Sequence, residues 1–266
     1  MLVDFMIIGA MKSATTHLSE ALSSHPDICF STPKETNFFC DEHWRDKLDS
    51  YHNCFKNQAA LYGEGSTNYS KYPVYNPNLH EDLYSYNPDL KFIYIVRHPL
   101  DRIRSHYIHA YKRGFESKNI NQAIKINPHY LLVTRYSSQI KPYINRFGRQ
   151  QVKIIFFEDY ITAPQEHYDA ICKFLDIPTI SLDLSKLNKN SSRQKNIRHK
   201  KFDSPKTFKD KLLKGINIIK SQFRDVDLKD EATLDAETKA YIIESLHSEV
   251  EALELLTGRD LSHWKH

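Results

Sequence analysis

A lysine and three hydroxyl side chains are crowded into one short segment near the start of the chain. The segment reads Gly-Ala-Met-Lys-Ser-Ala-Thr-Thr over residues 9–16 and follows an apolar run. Free backbone N–H groups at the start of a helix bind anions, and a lysine and hydroxyl groups add further donors. The segment therefore predicts a site for a phosphate or a sulfate ester, with Lys12 as its charged member.

This segment differs from two common nucleotide-binding sequences. The nucleoside-triphosphatase loop G-x-x-x-x-G-K-[ST] places a glycine directly before its lysine, whereas Lys12 follows Met11 and lies three residues after Gly9. The dinucleotide-binding pattern needs two more glycines, and the whole chain has only 7 in 266 residues. A nucleotide or sugar kinase with a P-loop-like fold stays open as an alternative, although the missing loop counts against it.

A second group of polar residues follows another apolar run, at residues 92–96. It reads Arg-His-Pro-Leu-Asp-Arg-Ile-Arg-Ser-His-Tyr over residues 97–107. A guanidinium binds a phosphate through two parallel hydrogen bonds, so Arg97 at the strand end and Ser105 on the next helix can converge on one phosphate. The alternative is that Arg97 and Arg102 are ordinary surface charges at the start of a helix.

Strands and helices alternate around these two segments. Parallel strands are predicted at 3–8, 92–96 and 152–157, and helices from Thr15 or Thr16, over 99–112, 129–147 and 164–175, and between Asp235 and Gly258. The pattern predicts an α/β fold of three layers, with a central parallel sheet and helices on both faces. Ligands of such sheets bind at the carboxyl ends of the strands, where both polar groups lie.

Composition limits the class of protein. The chain has 266 residues, 40% of them hydrophobic, and a net charge of +4, which suits a single α/β domain over 1–266. It has no apolar run of about 18 residues and no basic N-terminal region, and its four cysteines lack C-x-x-C spacing. We therefore expect no transmembrane segment, reduced thiols and a cytoplasmic location, with no nucleic acid as partner.

Positive charge is concentrated in one late segment. Residues 186–220 contain twelve Lys and Arg against two Asp, so an anionic partner would be attracted there. The alternatives are a solvated basic loop or a non-catalytic module that binds polyanions. His98, His106 and His109 lie close together in sequence, but no further ligand is evident, and no metal site is predicted.

The two polar segments resemble the binding motifs of sulfotransferases that use 3′-phosphoadenosine 5′-phosphosulfate (PAPS). The first resembles the 5′-phosphosulfate loop G-x-x-K-[ST]-G-T-[ST]-x-L at Gly9, Lys12, Ser13, Thr15, Thr16 and Leu18. Ala14 replaces the central glycine, which is acceptable if residue 14 keeps a negative φ. The second is similar to the 3′-phosphate motif R-x-P-x-x-R-x-x-S-x-Y at every fixed position.

A third segment looks like the K-E-x-x-F-F sequence of carbohydrate sulfotransferases of the heparan-sulfate type and their bacterial relatives. It comprises Lys34, Glu35, Phe38 and Phe39, and the resemblance implies that Glu35 is the catalytic base. The alternative is a surface ion pair followed by core aromatics. Residues 64–69 resemble the turn E-K-[ST]-x-x-Y, with Gly65 where several relatives carry a lysine.

The resemblance implies further contacts and a reaction. Tyr136 is similar to a tyrosine that lies against the nucleotide, or it belongs to a helix core, and Arg193, Gln194 and Lys195 occupy the place of a late basic loop over the phosphates. The implied reaction moves the sulfuryl group of PAPS to a hydroxyl or amine of a carbohydrate or small-molecule acceptor. It leaves adenosine 3′,5′-bisphosphate (PAP) and requires no metal. The sequence leaves the acceptor and the oligomeric state open.

Overall fold

The computed structural model describes residues 1–183 and 232–266. Five strands form one parallel sheet: β1 (Phe5–Gly9), β2 (Ile28–Phe30), β3 (Leu61–Glu64), β4 (Lys91–Val96) and β5 (Val152–Phe156). Their order is β2-β3-β1-β4-β5, so β1 lies at the centre between β3 and β4. The chain winds outward from β1 in both directions, which opens a crevice at the carboxyl ends of β1 and β4. The predicted α/β class is confirmed.

Ten α-helices surround the sheet within the described part of the chain. They are α1 (Thr15–Ser23), α2 (Leu48–His52), α3 (Leu79–Tyr86), α4 (Pro99–Lys112), α5 (Ile120–Ile126), α6 (His129–Leu132), α7 (Tyr136–Phe147), α8 (Phe157–Thr162), α9 (Pro164–Leu175) and α10 (Ala236–Thr257). Short 3-10 turns add Phe38–Cys40, Trp44–Lys47, Arg149–Gln151 and Ser262–Trp264.

Alternate residues of the central strands point to opposite faces of the sheet. Met6 and Ile8 of β1 join a core packed against α3, α7 and α10, whereas Phe5 and Ile7 join a core packed against α1 and α9. Every residue of β1 is buried, as expected of a strand covered on both faces. The three-layer arrangement with helices on both faces is therefore confirmed.

Several predicted element boundaries need correction. Neither Thr15 nor Thr16 caps α1, because Ala14 occupies the cap position and no side chain bonds the first turn. The helix predicted over 129–147 is two helices, α6 and α7, separated by three residues. The ends of α10 are confirmed, since Asp235 accepts a hydrogen bond from the Thr238 N–H at 2.7 Å and Gly258 is left-handed with φ 67°.

Candidate active site

An open cleft of about 370 Å³ lies at the carboxyl edge of the sheet, between the ends of β1 and β4. Lys12 from the turn after β1, Arg97 from the end of β4 and Ser105 from α4 all line it. The remaining lining residues are Asp101, Arg104, Ile108, His109 and Lys112. The structure thus brings together side chains that are about 90 positions apart in the sequence and gives the cleft a positive lining.

One face of α4 supplies most of this lining; of its residues the sequence analysis named Ser105, as a phosphate contact, and His109, in weighing a metal site. Asp101, Ser105, Ile108 and Lys112 recur at intervals of three or four residues, which is the spacing of one helix face. His109 belongs to the same face, and burial together with the charge of Lys12 lowers its pKa to about 4. The spacing from Ser105 could have identified these residues in advance.

The turn after β1 has an unusual backbone. Lys12 and Ala14 both adopt positive φ angles, of 72° and 62°. The condition that residue 14 keep a negative φ is therefore not met: Ala14 adopts the left-handed conformation in which glycine is favoured. Gly9 is required for space, because a Cβ there would lie 2.3 Å from the Ser70 Oγ and 2.9 Å from the Tyr94 ring.

Polar groups of the turn are buried and available to an anion. The Oγ of Ser13 is fully buried and has no hydrogen-bond partner among the described residues. The first turn of α1 has no side-chain cap, so its N–H groups also face the turn unpaired by a side chain. Burial and the nearby cations Arg113, Arg97 and Lys112 lower the pKa of Lys12. Each of these groups would be satisfied by a bound phosphate or sulfate ester, so the turn fits such a ligand.

The side chain of Arg97 is held in place from two sides. Its Nη1 donates to the Lys12 carbonyl at 3.2 Å, and its guanidinium carbon lies 4.3 Å from the centre of the Phe157 ring. Its buried Nε has no partner among the residues described. The arginine is therefore held in one orientation without a carboxylate partner among the described residues, which suits a guanidinium that binds an anion.

Tyr136 lies behind this arginine. It is 2% exposed, its hydroxyl donates to the Arg97 carbonyl at 2.8 Å, and its ring packs near Tyr94 and Trp264. Tyr136 is therefore a core residue of its helix, which was one of the two roles considered for it. Its hydroxyl supports the end of β4, next to Arg97. A direct contact between Tyr136 and a nucleotide stays a prediction.

Arg102 differs from Arg97 in its surroundings. It is fully buried, its Nη2 donates to the Tyr130 carbonyl at 2.7 Å, and its Nη1 lies 3.3 Å from Nδ1 of His106. Burial lowers the pKa of Arg102 to about 10, and burial and the Arg102 charge lower that of His106 to about 2. Arg102 is therefore not an ordinary surface charge, and it does not line the cleft.

Lys34 and Glu35 lie on the turn after β2, beside the start of α1. The Nζ of Lys34 donates to Thr15 Oγ1 at 3.3 Å and to Glu35 Oε1 at 3.4 Å. The same carboxylate oxygen accepts a hydrogen bond of 3.5 Å from the Thr67 hydroxyl, and the Glu35 side chain is 42% exposed. A solvent-accessible carboxylate is thus connected to the turn after β1 through one lysine.

Glu64, at the end of β3, is buried beneath this pair. It accepts a short hydrogen bond from the Thr36 hydroxyl, and burial raises its pKa to about 7. Gly65 follows it, and a Cβ on Gly65 would lie 3.0 Å from Cε of Lys34. The glycine therefore leaves room for the lysine stem.

Other predicted features lie elsewhere or beyond the described residues. Arg193, Gln194 and Lys195, with the rest of the basic segment at 186–220, fall outside 1–183 and 232–266. Within those two ranges no group of three His, Cys, Asp or Glu side chains could hold a metal ion. In the same ranges no helix combines the length and apolar character needed to cross a membrane. The four cysteines are free thiols.

The fold and the cleft define a class: an α/β protein with a positively lined cleft at the switch point of a parallel sheet. A sulfotransferase-domain family model matches residues 2–227. The chain belongs to the sulfotransferase family, as its motifs indicate.

Known proteins similar to this chain agree with that assignment. It is 26% identical over 188 residues to heparan sulfate glucosamine 3-O-sulfotransferase 5 of Mus musculus, covering 65% of this chain and 53% of the relative. It is 24% identical over 194 residues to a bifunctional heparan sulfate N-deacetylase/N-sulfotransferase 1 of Caenorhabditis elegans, covering 66% and 22%. The chain thus spans between about a fifth and a half of the length of these relatives.

Solved structures show the same fold. A sulfotransferase from Alicyclobacillus acidocaldarius superposes with a TM-score of 0.70 at 24% identity, covering 100% of both chains. Mouse sulfotransferase SULT7A1 complexed with PAP has a TM-score of 0.55 at 16% identity, covering 93% of this chain and 84% of that one. The architecture is therefore that of known sulfotransferases.

Proposed function

We propose that this protein transfers the sulfuryl group of PAPS to a hydroxyl or amine of an acceptor. The observation that carries the proposal is the convergence of Lys12, Arg97 and Ser105 on one open cleft at the ends of β1 and β4. These residues belong to two motifs of the family, one for each phosphate-bearing end of the donor. A family neighbour solved in complex with PAP supports the choice of donor.

In this proposal the two ends of the donor are bound by different elements. The turn at Lys12, Ser13 and Ala14, with the hydroxyls of Thr15 and Thr16 and the N-terminal N–H groups of α1, holds the 5′-phosphosulfate. Arg97 and Ser105 hold the 3′-phosphate. Donors without that phosphate would leave a partly buried guanidinium unpaired and would bind weakly. Arg193, Gln194 and Lys195 stay proposed as additional phosphate contacts.

The chemical step needs one base and one cation. The acceptor oxygen or nitrogen forms a bond to sulfur while the bond from sulfur to the bridging phosphate oxygen breaks, and the electron pair goes to that oxygen. Glu35 accepts the acceptor proton, and the Lys12 ammonium stabilises the charge left on the bridging oxygen. Because a sulfuryl group carries less negative charge than a phosphoryl group, we assign this stabilisation to lysine and backbone donors without a metal.

A carbohydrate is the acceptor class that we propose. Two of the relatives are named for heparan sulfate, a carbohydrate. Tyr72 and Tyr75 are 39% and 47% exposed, and the Lys71 ammonium lies 5.7 Å from the centre of the Tyr75 ring. Burial lowers the pKa of Lys71, and the charge of Glu35 partly offsets this, which supports a position of this segment near the proposed base. Exposed tyrosine rings can stack on sugar rings there.

The proposed function is tested with ³⁵S-labelled PAPS and a panel of sugars, amino sugars and small alcohols. We expect label to be transferred to at least one sugar, and transfer by Glu35→Gln to fall about a hundredfold, the loss typical of a general base. PAP affinity should stay unchanged in that variant. Glu42→Gln, at an exposed ion pair with His43, is the matched control and should react as the wild type does.

Three outcomes would contradict the proposal in different ways. Failure of PAP to bind would contradict the choice of donor. Binding of PAP without transfer to any member of the panel would favour the non-catalytic module. Full transfer by Glu35→Gln would remove Glu35 from the role of base and leave the remainder of the proposal standing.

A further inference from the structure

The turn that carries Glu35 also carries a second cation, Lys34, and hydrogen bonds hold this lysine in position. The backbone carbonyl of Lys34 accepts hydrogen bonds from the Gly65 N–H at 3.2 Å and the Ser31 hydroxyl at 3.1 Å. Its side chain is only 21% exposed and extends toward the anion-binding turn, where Nζ meets Thr15 Oγ1 at 3.3 Å. Lys34 is thus anchored at both ends, unlike an ordinary surface lysine.

Gly65 packs against the stem of this lysine and the ring of Phe30, and its own backbone does not require a glycine. Its φ does not lie in the left-handed region, so the conformation is open to any residue. The constraint is space: an added Cβ would lie 3.0 Å from Cε and 3.5 Å from Cγ of Lys34. A long side chain at position 65 and the Lys34 stem therefore compete for the same volume. Gly65 is also the position at which the motif resemblance places a lysine in several relatives.

The ammonium of Lys34 has capacity for one more acceptor. A lysine ammonium has three N–H donors. In the described part of the chain two acceptors lie within hydrogen-bond distance of Nζ, namely Thr15 Oγ1 and Glu35 Oε1. Because Nζ contacts both Thr15 and Glu35, it lies between the proposed base and the turn proposed to hold the 5′-phosphosulfate.

We infer that Lys34 is a catalytic residue that binds the transferring sulfuryl group, and that it replaces the lysine missing at position 65. The inference rests on the proposed function. As the new bond to sulfur forms and the bond to the bridging oxygen breaks, Glu35 takes up the acceptor proton and loses its charge. The third donor of the Lys34 ammonium binds a non-bridging oxygen of the sulfuryl group in the bound donor, and the loss of charge on Glu35 strengthens this contact as the transfer proceeds.

The test compares two ligands that differ only in the sulfuryl group, and it needs no acceptor. Affinities for PAPS and PAP are measured by calorimetry for the wild type, Lys34→Met, Lys34→Ala, Gly65→Lys, and the double variant Lys34→Ala with Gly65→Lys. Lys34→Met should lose about tenfold in PAPS affinity, the effect of one charge-assisted hydrogen bond, with PAP affinity within twofold of wild type. Lys56→Met, at an exposed lysine that bonds only the Asn53 carbonyl in the described residues, is the control and should bind both ligands normally.

The double variant gives the sharper result. With alanine at position 34 the stem is removed beyond Cβ, so in the double variant a lysine at position 65 should recover at least half of the PAPS affinity lost by Lys34→Ala, expressed as the logarithm of the fold-change. Gly65→Lys alone should lower PAPS affinity, because the two stems collide. If Lys34→Met is poorly folded, as judged by its thermal unfolding, Lys34→Gln replaces it.

The inference is overturned if the Lys34 variant binds PAPS as the wild type does, if it loses PAPS and PAP affinity equally, or if the double variant shows no recovery. A wild type that binds neither ligand would overturn the proposed function instead. The two failures are therefore distinguishable.

Discussion

At the scale of single residues, the turn proposed to hold the 5′-phosphosulfate has a strained backbone. Lys12 and Ala14 both have positive φ, a region that disfavours residues with a Cβ. Motif comparison indicates a glycine at position 14, and the structure shows why glycine suits it. Residue 14 adopts the left-handed conformation although it is an alanine, and backbone strain of this kind is concentrated at functional sites.

Replacing Ala14 by glycine should relieve part of this strain. The left-handed conformation costs an alanine about 1 kcal/mol, a penalty that exceeds the extra unfolded-state entropy of glycine. We expect Ala14→Gly to raise the free energy of unfolding by up to about 1 kcal/mol in urea titrations. Ala170→Gly, at an exposed position inside α9, is the comparison and should destabilise the protein. A destabilised Ala14→Gly would contradict the account of the turn.

The buried carboxyl of Glu64 should make stability depend on pH. Burial raises its folded-state pKa to about 7, from 4.5 in the unfolded chain. Between these values the folded state holds a proton that the unfolded state has released, so stability falls as pH rises through this window. Below pH 4.5 the carboxyl is protonated in both states, so Glu64 contributes no further change of stability with pH.

Glu64→Gln removes this titration. The difference in unfolding free energy between variant and wild type should shift in favour of the variant as pH rises from 4.5 to 7, measured by urea unfolding at several pH values. Groups that titrate equally in both proteins contribute equally to both unfolding free energies, so their contributions cancel in this difference. A difference that is constant across this range would show that Glu64 is already ionised in the folded protein.

At the scale of elements, α10 supports the cleft from a distance. The Glu249 carboxylate on α10 accepts a hydrogen bond of 3.0 Å from the Ser138 N–H and short hydrogen bonds from the Ser137 and Ser138 hydroxyls. It therefore caps the start of α7, where Tyr136 bonds the Arg97 carbonyl. This chain of contacts connects the C-terminal helix to the arginine proposed to bind the 3′-phosphate.

Loss of the cap should weaken the fold more than the site. Glu249→Ala is expected to cost about 1 kcal/mol of unfolding free energy, the usual effect of removing a helix cap. Its PAP affinity should fall by less than threefold, because Arg97 keeps its contacts with Lys12 and Phe157. Glu251→Ala, at a neighbouring exposed position on α10, is the control. A Glu249→Ala protein as stable as wild type would contradict the capping role.

At the scale of the whole molecule, the sequence predicts those elements that have strong patterns. β4, β5, α4 and α9 were predicted within one residue, because apolar runs and a proline at the first helical position mark them. β2 and β3 are three and four residues long, which is too short for a recognisable pattern of apolar residues in the sequence. The motifs on the turn after β1 and on α4 were identified because each is contiguous in sequence.

Contacts between distant segments could not be predicted in the same way. Lys34 meets Thr15 only because β2 and β1 are parallel, with β3 between them, which brings the turns at their carboxyl ends to one edge of the sheet. The support of Arg97 by Phe157 and Tyr136 likewise depends on the packing of β4, α7 and α8. The single domain over 1–266 and the cytoplasmic location stay predictions.

The central claim is that the cleft binds the 3′-phosphate of the donor through Arg97. Calorimetric titration of the wild type and Arg97→Ala with PAP and with adenosine 5′-monophosphate, which lacks the 3′-phosphate, tests it most directly. We predict that the wild type prefers PAP, that Arg97→Ala loses between about tenfold and a hundredfold in PAP affinity, and that its affinity for the monophosphate is unchanged. Arg45→Ala, at an exposed ion pair with Asp82, should behave as wild type. Equal PAP affinity in Arg97→Ala and wild type, or no binding of PAP to either, would contradict the account.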